Sequence, residues 1–493
     1  MQMNYTSTRG SAPIVSATRA IINGLAGDRG LYVPERLPGL PRLLQDWKGT
    51  RYQDLAQDII GSFLKDFPEE SVRTCIERAY DDKFEAKTVV PLVQAGDAFF
   101  LELFHGPTAA FKDMALSLLP HLLTDALELQ GDASRVAVLT ATSGDTGKAA
   151  LEGFANVPGT DILVFYPHVG VSQVQQRQMT TQEGDNTHVF GIRGNFDDAQ
   201  RAVKQIFNDP EMAQLLRRRG IRFSSANSIN IGRLVPQVAY YVWAYVKLLE
   251  RGIVSEGSPV NIAVPTGNFG NILAAYYAGE MGVPINRLIC ASNRNHVLTD
   301  FIETGCYDIR RDFHVTSSPS MDILVSSNLE RLLFHLSDGD AGHVAALMED
   351  LEEKKHYQAG ETIEKHLNRF YGGYATEEET RDAMGDCYRQ FNYLMDPHTA
   401  VGYQVYRRYR EETGDQTPTV IAATASPYKF AETAIEALQL PTQVDGFAAV
   451  HALHQATGVP IPVGLKGLEN RAIRHAQVID REVIGKTVLQ CLK

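Results

Sequence analysis

The chain has 493 residues, 44% of them hydrophobic and 22% charged, and 47 basic against 59 acidic side chains leave a formal net charge of −12. That length exceeds one hydrophobic core and suggests about two to four domains. No Lys/Arg cluster offers a nucleic-acid footprint, and no apolar run reaches the roughly 18 residues of a membrane span. The five cysteines (Cys75, Cys290, Cys306, Cys387 and Cys491) are far apart and in no CxxC pair, which reads as reduced thiols. The polar start MQMNYTSTRG carries no signal-peptide pattern. The expectation is a cytoplasmic protein, monomer or homodimer, that takes a small molecule and no nucleic-acid or membrane partner.

In chain order, residues 1–97 read as a mostly helical lead-in. Strand-like apolar runs then appear at 136–140, 162–166, 189–192, 262–264, 288–291 and 420–423, several followed by helical patterns. That alternation predicts an α/β fold with parallel sheets wrapped by helices. Asn195-Phe196-Asp197-Asp198 is an acidic helix start, followed by Ala202, Val203, Ile206 and Phe207 at helical spacing. Residues 235–249, broken by Gln237 and Lys247, read as a buried core helix. Residues 328–393 read as a charged helical insertion, with Glu352, Glu353, Lys354 and Lys355 in one solvated block and a turn at Gly372-Gly373.

Four segments carry candidate chemistry. In His105-Gly106-Pro107-Thr108-Ala109-Ala110-Phe111-Lys112-Asp113, a lysine lies between a Gly-Pro turn and an apolar helix start. There an amine can be desolvated and still reach a pocket, and a lysine of lowered pKa condenses with aldehydes. Most lysines are solvated surface charges, so the run gains weight only from its companions. Thr142-Ser143-Gly144-Asp145-Thr146-Gly147 follows a strand and opens a helix, which makes an anion site for a carboxylate or phosphate. A Walker loop does not fit, because Ala149 follows Gly147-Lys148 and Thr142 stands where the first glycine belongs. Alone, the loop reads equally well as a capped helix.

Thr266-Gly267-Asn268-Phe269-Gly270-Asn271 is a second strand-to-helix turn whose glycines let backbone approach a phosphate, without being a GxGxxG fingerprint. Ala423-Thr424-Ala425-Ser426-Pro427 is the third, placing a hydroxyl where open α/β sheets bind ligands, although such a threonine also serves as a cap. His105 and His398 read as turn-stabilising residues. The 14 histidines show no ligand spacing, and neither HExxH nor GxSxG occurs, so no metal is expected.

Taken together and in this order, these motifs resemble the threonine synthase family. The likeness runs from YTSTRG at Tyr5 and GLYVP at Gly30 through HGPTAAFKD, TSGDTG, SQVQQRQM, SANSIN, PTGNFGN, SNRN, PSMDI, DPHTAVG and TASPYKF. It implies a fold-type-II pyridoxal-phosphate enzyme (tryptophan synthase β-like) with two open α/β lobes flanking a cleft. The implied division is an N-terminal domain (1–97), a catalytic core (98–327 and 394–493, with a smaller lobe near 133–240) and the insertion (328–393).

The resemblance also assigns residues. Lys112 would hold pyridoxal 5'-phosphate covalently and act as base and acid. Gly267, Asn268, Phe269, Gly270 and Asn271 would cradle the cofactor phosphate, and Thr424 would meet the ring nitrogen. Thr142, Ser143, Asp145 and Thr146 would take the substrate carboxylate, although short relatives carry Asn at the Asp145 position. Asn227, Ser228 and Arg233 would hold the phosphate of O-phospho-L-homoserine. The implied reaction, a carbon–oxygen lyase reaction acting on a phosphate, yields L-threonine and phosphate in the last step of threonine biosynthesis. Two rivals remain at this stage: a related phospho-lyase or threonine/serine dehydratase, and a non-catalytic binding protein on the same scaffold.

Overall fold

The computed structural model describes residues 3–492 apart from positions 143, 170, 195, 208 and 442. Two open sheets dominate it. The larger has six strands in the order Phe370–Tyr374, Ile285–Ser292, Val260–Pro265, Thr419–Ala423, Ala98–Glu102 and Leu92–Ala95. Only the last pairing is antiparallel. The smaller has five parallel strands in the order Val478–Asp480, Thr187–Arg193, Thr160–Pro167, Arg135–Ala141 and Ile221–Ser224. Thr160–Pro167 is buried at every residue. Near-continuous apolar runs are what a strand covered by helices on both faces requires, and they made these strands readable.

The helix Ile231–Glu250 contains 18 buried residues and runs through the core, as its all-round apolar surface predicts. Gly232 lets its first turn lie against Leu119 and Ile21, where a Cβ would sit 2.8 Å from the leucine. The helix Phe196–Phe207 forms where its periodicity places it; its expected acidic start at Asn195 lies outside the described residues.

Three expectations need correction. The lead-in is not mostly helical: Asn4–Ser7 pairs with Val15–Ser16 and Tyr32–Pro34 in a small antiparallel sheet, and Leu92–Ala95 edges the large sheet. Strands of two to four residues are too short for alternation to register. Gly372-Gly373 is no turn but the middle of the edge strand Phe370–Tyr374, so the 328–393 segment contributes to the large sheet. Glycine is needed there because a Cβ on Gly373 would meet Val405 at 2.6 Å, and one on Gly372 would meet the Thr299 backbone. Finally, the smaller sheet takes its edge strand Val478–Asp480 from far outside the 133–240 segment. Among the described residues no helix is long and apolar enough to cross a membrane.

Candidate active site

Backbone hydrogen bonds stitch two of the singled-out segments together. Phe111 N donates to Thr424 O at 2.8 Å, Ser426 N to Ala109 O at 3.1 Å, and Leu103 N to Ala423 O at 3.0 Å. Thr424, 6% exposed, therefore lies beside the turn that carries Lys112. Ala109 in that turn takes a left-handed φ of 57°, a conformation that non-glycine residues hold only where the surroundings impose it. Thr424 leads into the single turn Pro427–Phe430 and then the helix Ala431–Ala437, in place of one continuous helix.

Lys112 has 11% of its side chain exposed. Its Nζ donates to Ser320 Oγ at 3.2 Å and lies 3.7 Å from Asp145 Oδ2. Burial pushes its pKa below the usual lysine value, the Asp145 carboxylate opposes that shift, and the positive charges of Lys429 and Arg233 add to it. A lysine so placed is readily made neutral, which is the form that attacks an aldehyde or takes a proton. Its neighbour Asp113 is raised to about 6, chiefly by burial, although Thr108 N donates to it at 2.8 Å.

The 142–147 loop departs from its assignment. Thr142 Oγ1 accepts from Gly144 N and Gly147 N, both at 3.0 Å, so this hydroxyl is committed to the turn. Asp145 is a buried anion between Lys429 Nζ at 2.6 Å and Gln175 Nε2 at 2.9 Å. Burial alone would raise its pKa, but Lys429 and Lys112 hold it well below the usual carboxylate range. An ionised carboxylate offers no donor to a second carboxylate, and the Thr142 hydroxyl is already bonded within its own turn. What the loop offers instead is the N-terminus of the helix Asp145–Phe154, where Thr146 is partly exposed. Ser143 lies outside the described residues. Lys148, the lysine of the rejected Walker reading, pairs with Glu152 at 2.8 Å.

The 266–271 turn leads into the helix Gly270–Met281. Gly267 has no room for a Cβ, which would run into the carbonyl of Ser320. Phe269 caps the helix in the left-handed region at φ 64° and is buried, and Asn268 O accepts from Asn328 N at 3.1 Å and Nδ2 at 3.0 Å. Asn271 Oδ1 accepts from Tyr240 OH at 2.7 Å and from Tyr241 OH, while its buried Nδ2 has no partner among the described residues. A strained cap, a helix start stripped of side-chain bulk and an orphaned amide donor suit a phosphate monoester.

Arg233 lies in the first turn of the helix Ile231–Glu250, 3% exposed. Its Nη1 donates to Ala226 O at 2.6 Å, its Nε has no partner, and among the described residues no carboxylate pairs with it. Burial alone lowers its pKa to about 10. Ser228 Oγ accepts from Asn328 Nδ2 at 3.3 Å, joining this loop to the Gly267 turn, whereas Asn227 is exposed.

Sequence reasoning missed Lys429, which is fully buried and donates to Thr108 O at 3.0 Å as well as to Asp145. It also missed Ser320 beside Lys112 and gave His398 only a turn. His398 is buried, with Nδ1 2.6 Å from Asp396 Oδ2 and Nε2 accepting from Ser320 N at 3.1 Å. His105, partly buried, faces Glu102 Oε2 at 2.8 Å. The signal for Lys429 and Ser320 was their place inside TASPYKF and PSMDI, segments with no local pattern that demands burial. Among the described residues no group of His, Cys, Asp and Glu could hold a metal ion.

Family models match end to end: "Threonine synthase N terminus" over residues 4–80, "Pyridoxal-phosphate dependent enzyme" over 88–425 and "Threonine synthase, C-terminal" over 399–486. The threonine synthase of Pseudomonas aeruginosa is 40% identical over 437 residues, covering 87% of this chain and 89% of that protein. Human threonine synthase-like 1 is 41% identical over 438 residues, but the chain spans only 58% of its length. The crystal structure of pyridoxal-phosphate-bound threonine synthase from Brucella melitensis superposes with a TM-score of 0.89 at 36% identity, covering all of both chains. That of the yeast enzyme gives 0.89 at 32% identity, over 99% of this chain and 98% of the other. A buried lysine, a bulk-free helix start and two open sheets thus define a fold-type-II pyridoxal-phosphate enzyme. Within that class, the chain belongs to the threonine synthase family.

Proposed function

We propose that this chain converts O-phospho-L-homoserine and water into L-threonine and phosphate, in the cytoplasm and with pyridoxal 5'-phosphate as cofactor. The observation that carries the reading is Arg233, a buried guanidinium with no counter-ion among the described residues, within electrostatic range of Lys112. A dianionic leaving group would supply the missing charge, and the fork of the guanidinium matches phosphate oxygens.

When bound, pyridoxal phosphate supplies an aldehyde for the Lys112 amine and a ring that takes up the electron pair left as a proton leaves the substrate. Gly267, Asn268, Phe269, Gly270 and Asn271 would surround its phosphate, with backbone N–H groups and the unpartnered Asn271 amide as donors. Thr424 would face the ring nitrogen with a neutral hydroxyl. Lys112 would remove the Cα proton and then carry protons between Cβ and Cγ. Arg233 and Ser228 hold the γ-phosphate as it departs, and the first turn of the Asp145–Phe154 helix receives the carboxylate. Asp145 stays ionised throughout, balancing Lys429 and Lys112. We read residues 1–97 as an N-terminal domain and the lobe around 133–240 as the part that closes over the substrate to exclude water until hydration.

Purified protein should be yellow. Borohydride should fix the cofactor on the Lys112 peptide, and O-phospho-L-homoserine should yield threonine and phosphate in equal amounts. Formation of 2-oxobutyrate in place of threonine would assign a lyase or dehydratase instead, and label on another lysine would remove Lys112 from its role.

A further inference from the structure

Ser320 is held more firmly than a loop serine needs to be. Its Oγ accepts from Lys112 Nζ at 3.2 Å, its N–H donates to His398 Nε2 at 3.1 Å, and its carbonyl packs on Gly267 so closely that no Cβ fits there. A backbone N–H can only donate, so His398 Nε2 is unprotonated, and Nδ1 carries the hydrogen and donates to Asp396 Oδ2 at 2.6 Å. Both side chains of that pair are buried, at 3% and 0% exposure. Asp396 also accepts from His398 N at 3.0 Å and from the Thr399 hydroxyl, which in turn accepts from Thr424 N at 3.3 Å. From the other side, Asp322 accepts from Thr316 N at 2.9 Å, Thr316 Oγ1 at 2.7 Å and Asn293 Nδ2 at 2.8 Å. Those bonds brace the short turn Pro319–Met321 that carries Ser320.

We infer that Ser320 is a second catalytic group of this site, holding the Lys112 amine in working orientation, and that His398, oriented by Asp396, is the positioning residue that sets it there. The inference rests on the reading of Lys112 as the cofactor-bearing base. An amine that takes a proton from carbon must keep its lone pair on that carbon. One N–H anchored on a fixed hydroxyl removes the rotation that would turn the pair away, and a misplacement of about 1 Å costs roughly a hundredfold in rate.

Four variants of the full-length holoenzyme test this. Ser320→Ala should lower kcat on O-phospho-L-homoserine by roughly ten- to a hundredfold with KM within about twofold and the cofactor absorbance intact. After hydroxylamine has stripped the cofactor, added pyridoxal phosphate should restore the yellow band about tenfold more slowly in Ser320→Ala, to the same final amplitude. That readout needs no substrate, so it decides the inference even if wild-type protein makes no threonine and the proposed function falls. His398→Leu should raise deuterium uptake across residues 316–323 and lower kcat. His398→Gln, whose amide oxygen can still accept from Ser320 N, should recover part of both. The double variant Ser320→Ala/His398→Leu should be no slower than Ser320→Ala alone, because one residue acts through the other. Should Ser320→Ala fail to fold, Ser320→Cys keeps the volume with a poor acceptor and carries the same expectations. Restoration and kcat within about twofold of wild type, or activity lost in step with bound cofactor, would overturn the role of Ser320. Equal impairment by Leu and Gln, or unchanged deuterium uptake, would overturn that of His398.

Discussion

A buried guanidinium without a carboxylate is costly unless an anion joins it, and Arg233 is in that position. Arg233→Ala is expected to cost about 2–5 kcal/mol in kcat/KM for O-phospho-L-homoserine, with Lys recovering only part because the bidentate geometry is lost. Cofactor absorbance should persist in both variants, since the Arg233 guanidinium bonds Ala226 O and not the Gly267 turn; steady-state kinetics beside an absorbance scan check this. Asp145 makes the opposite case. Asp145→Ala strands the fully buried Lys429, which is expected to cost on the order of 3–5 kcal/mol in urea unfolding, and a second change, Lys429→Met, should return much of it. The sequence shows why these two residues differ in legibility. Arg233 follows an amide and a hydroxyl at a helix start, a spacing with chemical meaning, whereas Lys429 is one lysine in an apolar stretch. Only its partner Asp145, remote in sequence, makes it a core residue. The pairing of Asp145 was illegible for the same reason: the loop pattern marks an anion site, but the cation beside its carboxylate is remote in sequence.

At the scale of elements, the N-terminal segment braces the start of the Ile231–Glu250 helix. Asn230 caps that helix through Gly232 N and donates to Ile21 O at 2.9 Å. Arg331, fully buried, donates to Tyr32 O at 3.0 Å and to the carbonyl of Ile229, and it also bonds Asn328. It therefore ties a strand of the N-terminal sheet to the loop that presents Arg233. Arg331→Met leaves three oxygens without their donor and is expected to lower stability by about 3 kcal/mol. KM for the phosphorylated substrate should rise before kcat falls, and chemical denaturation with substrate titration would show both. The six apolar strands at 136–140 through 420–423 were readable because each is buried and uninterrupted. Ile221–Ser224 and Phe370–Tyr374 were not: the first is buried only at its ends, and glycine fills the middle of the second. Ala98–Glu102 was also passed over, although it is as long and nearly as buried as Thr419–Ala423. Glycine there signals two elements packing close, which a single sequence cannot distinguish from a turn.

For the molecule as a whole, acid should act through partly buried histidines. His335 Nε2 lies 2.8 Å from Tyr277 OH, and burial, with Arg331 adding, lowers its pKa from 6.5 to about 4. His121 is lowered to about 4, chiefly by burial and then by Lys83 and Arg78. A depressed histidine favours the neutral form in the folded state. Its contribution is complete above pH 6.5 and is lost as pH falls towards 4, on the order of 2–3 kcal/mol for His335. His335→Gln, which keeps a hydrogen-bonding partner for Tyr277, should flatten that slope relative to wild type; unfolding midpoints across the pH window measure it.

The edge strand Val478–Asp480 has a consequence for the birth of the protein. Arg193 on the neighbouring strand pairs with Asp480 at a separation of 287 residues, and Ile484, Val488 and Leu492 complete the apolar cluster behind the smaller sheet. A ribosome adds roughly 5–20 residues per second, so the Thr187–Arg193 edge waits some tens of seconds for its partner. During that interval an open edge and an incomplete apolar face are presented to every other nascent chain, the situation in which strands pair with the wrong neighbour. Truncation before Val478 would make that transient condition permanent, so the tail serves as a molecular seal on the newly made sheet.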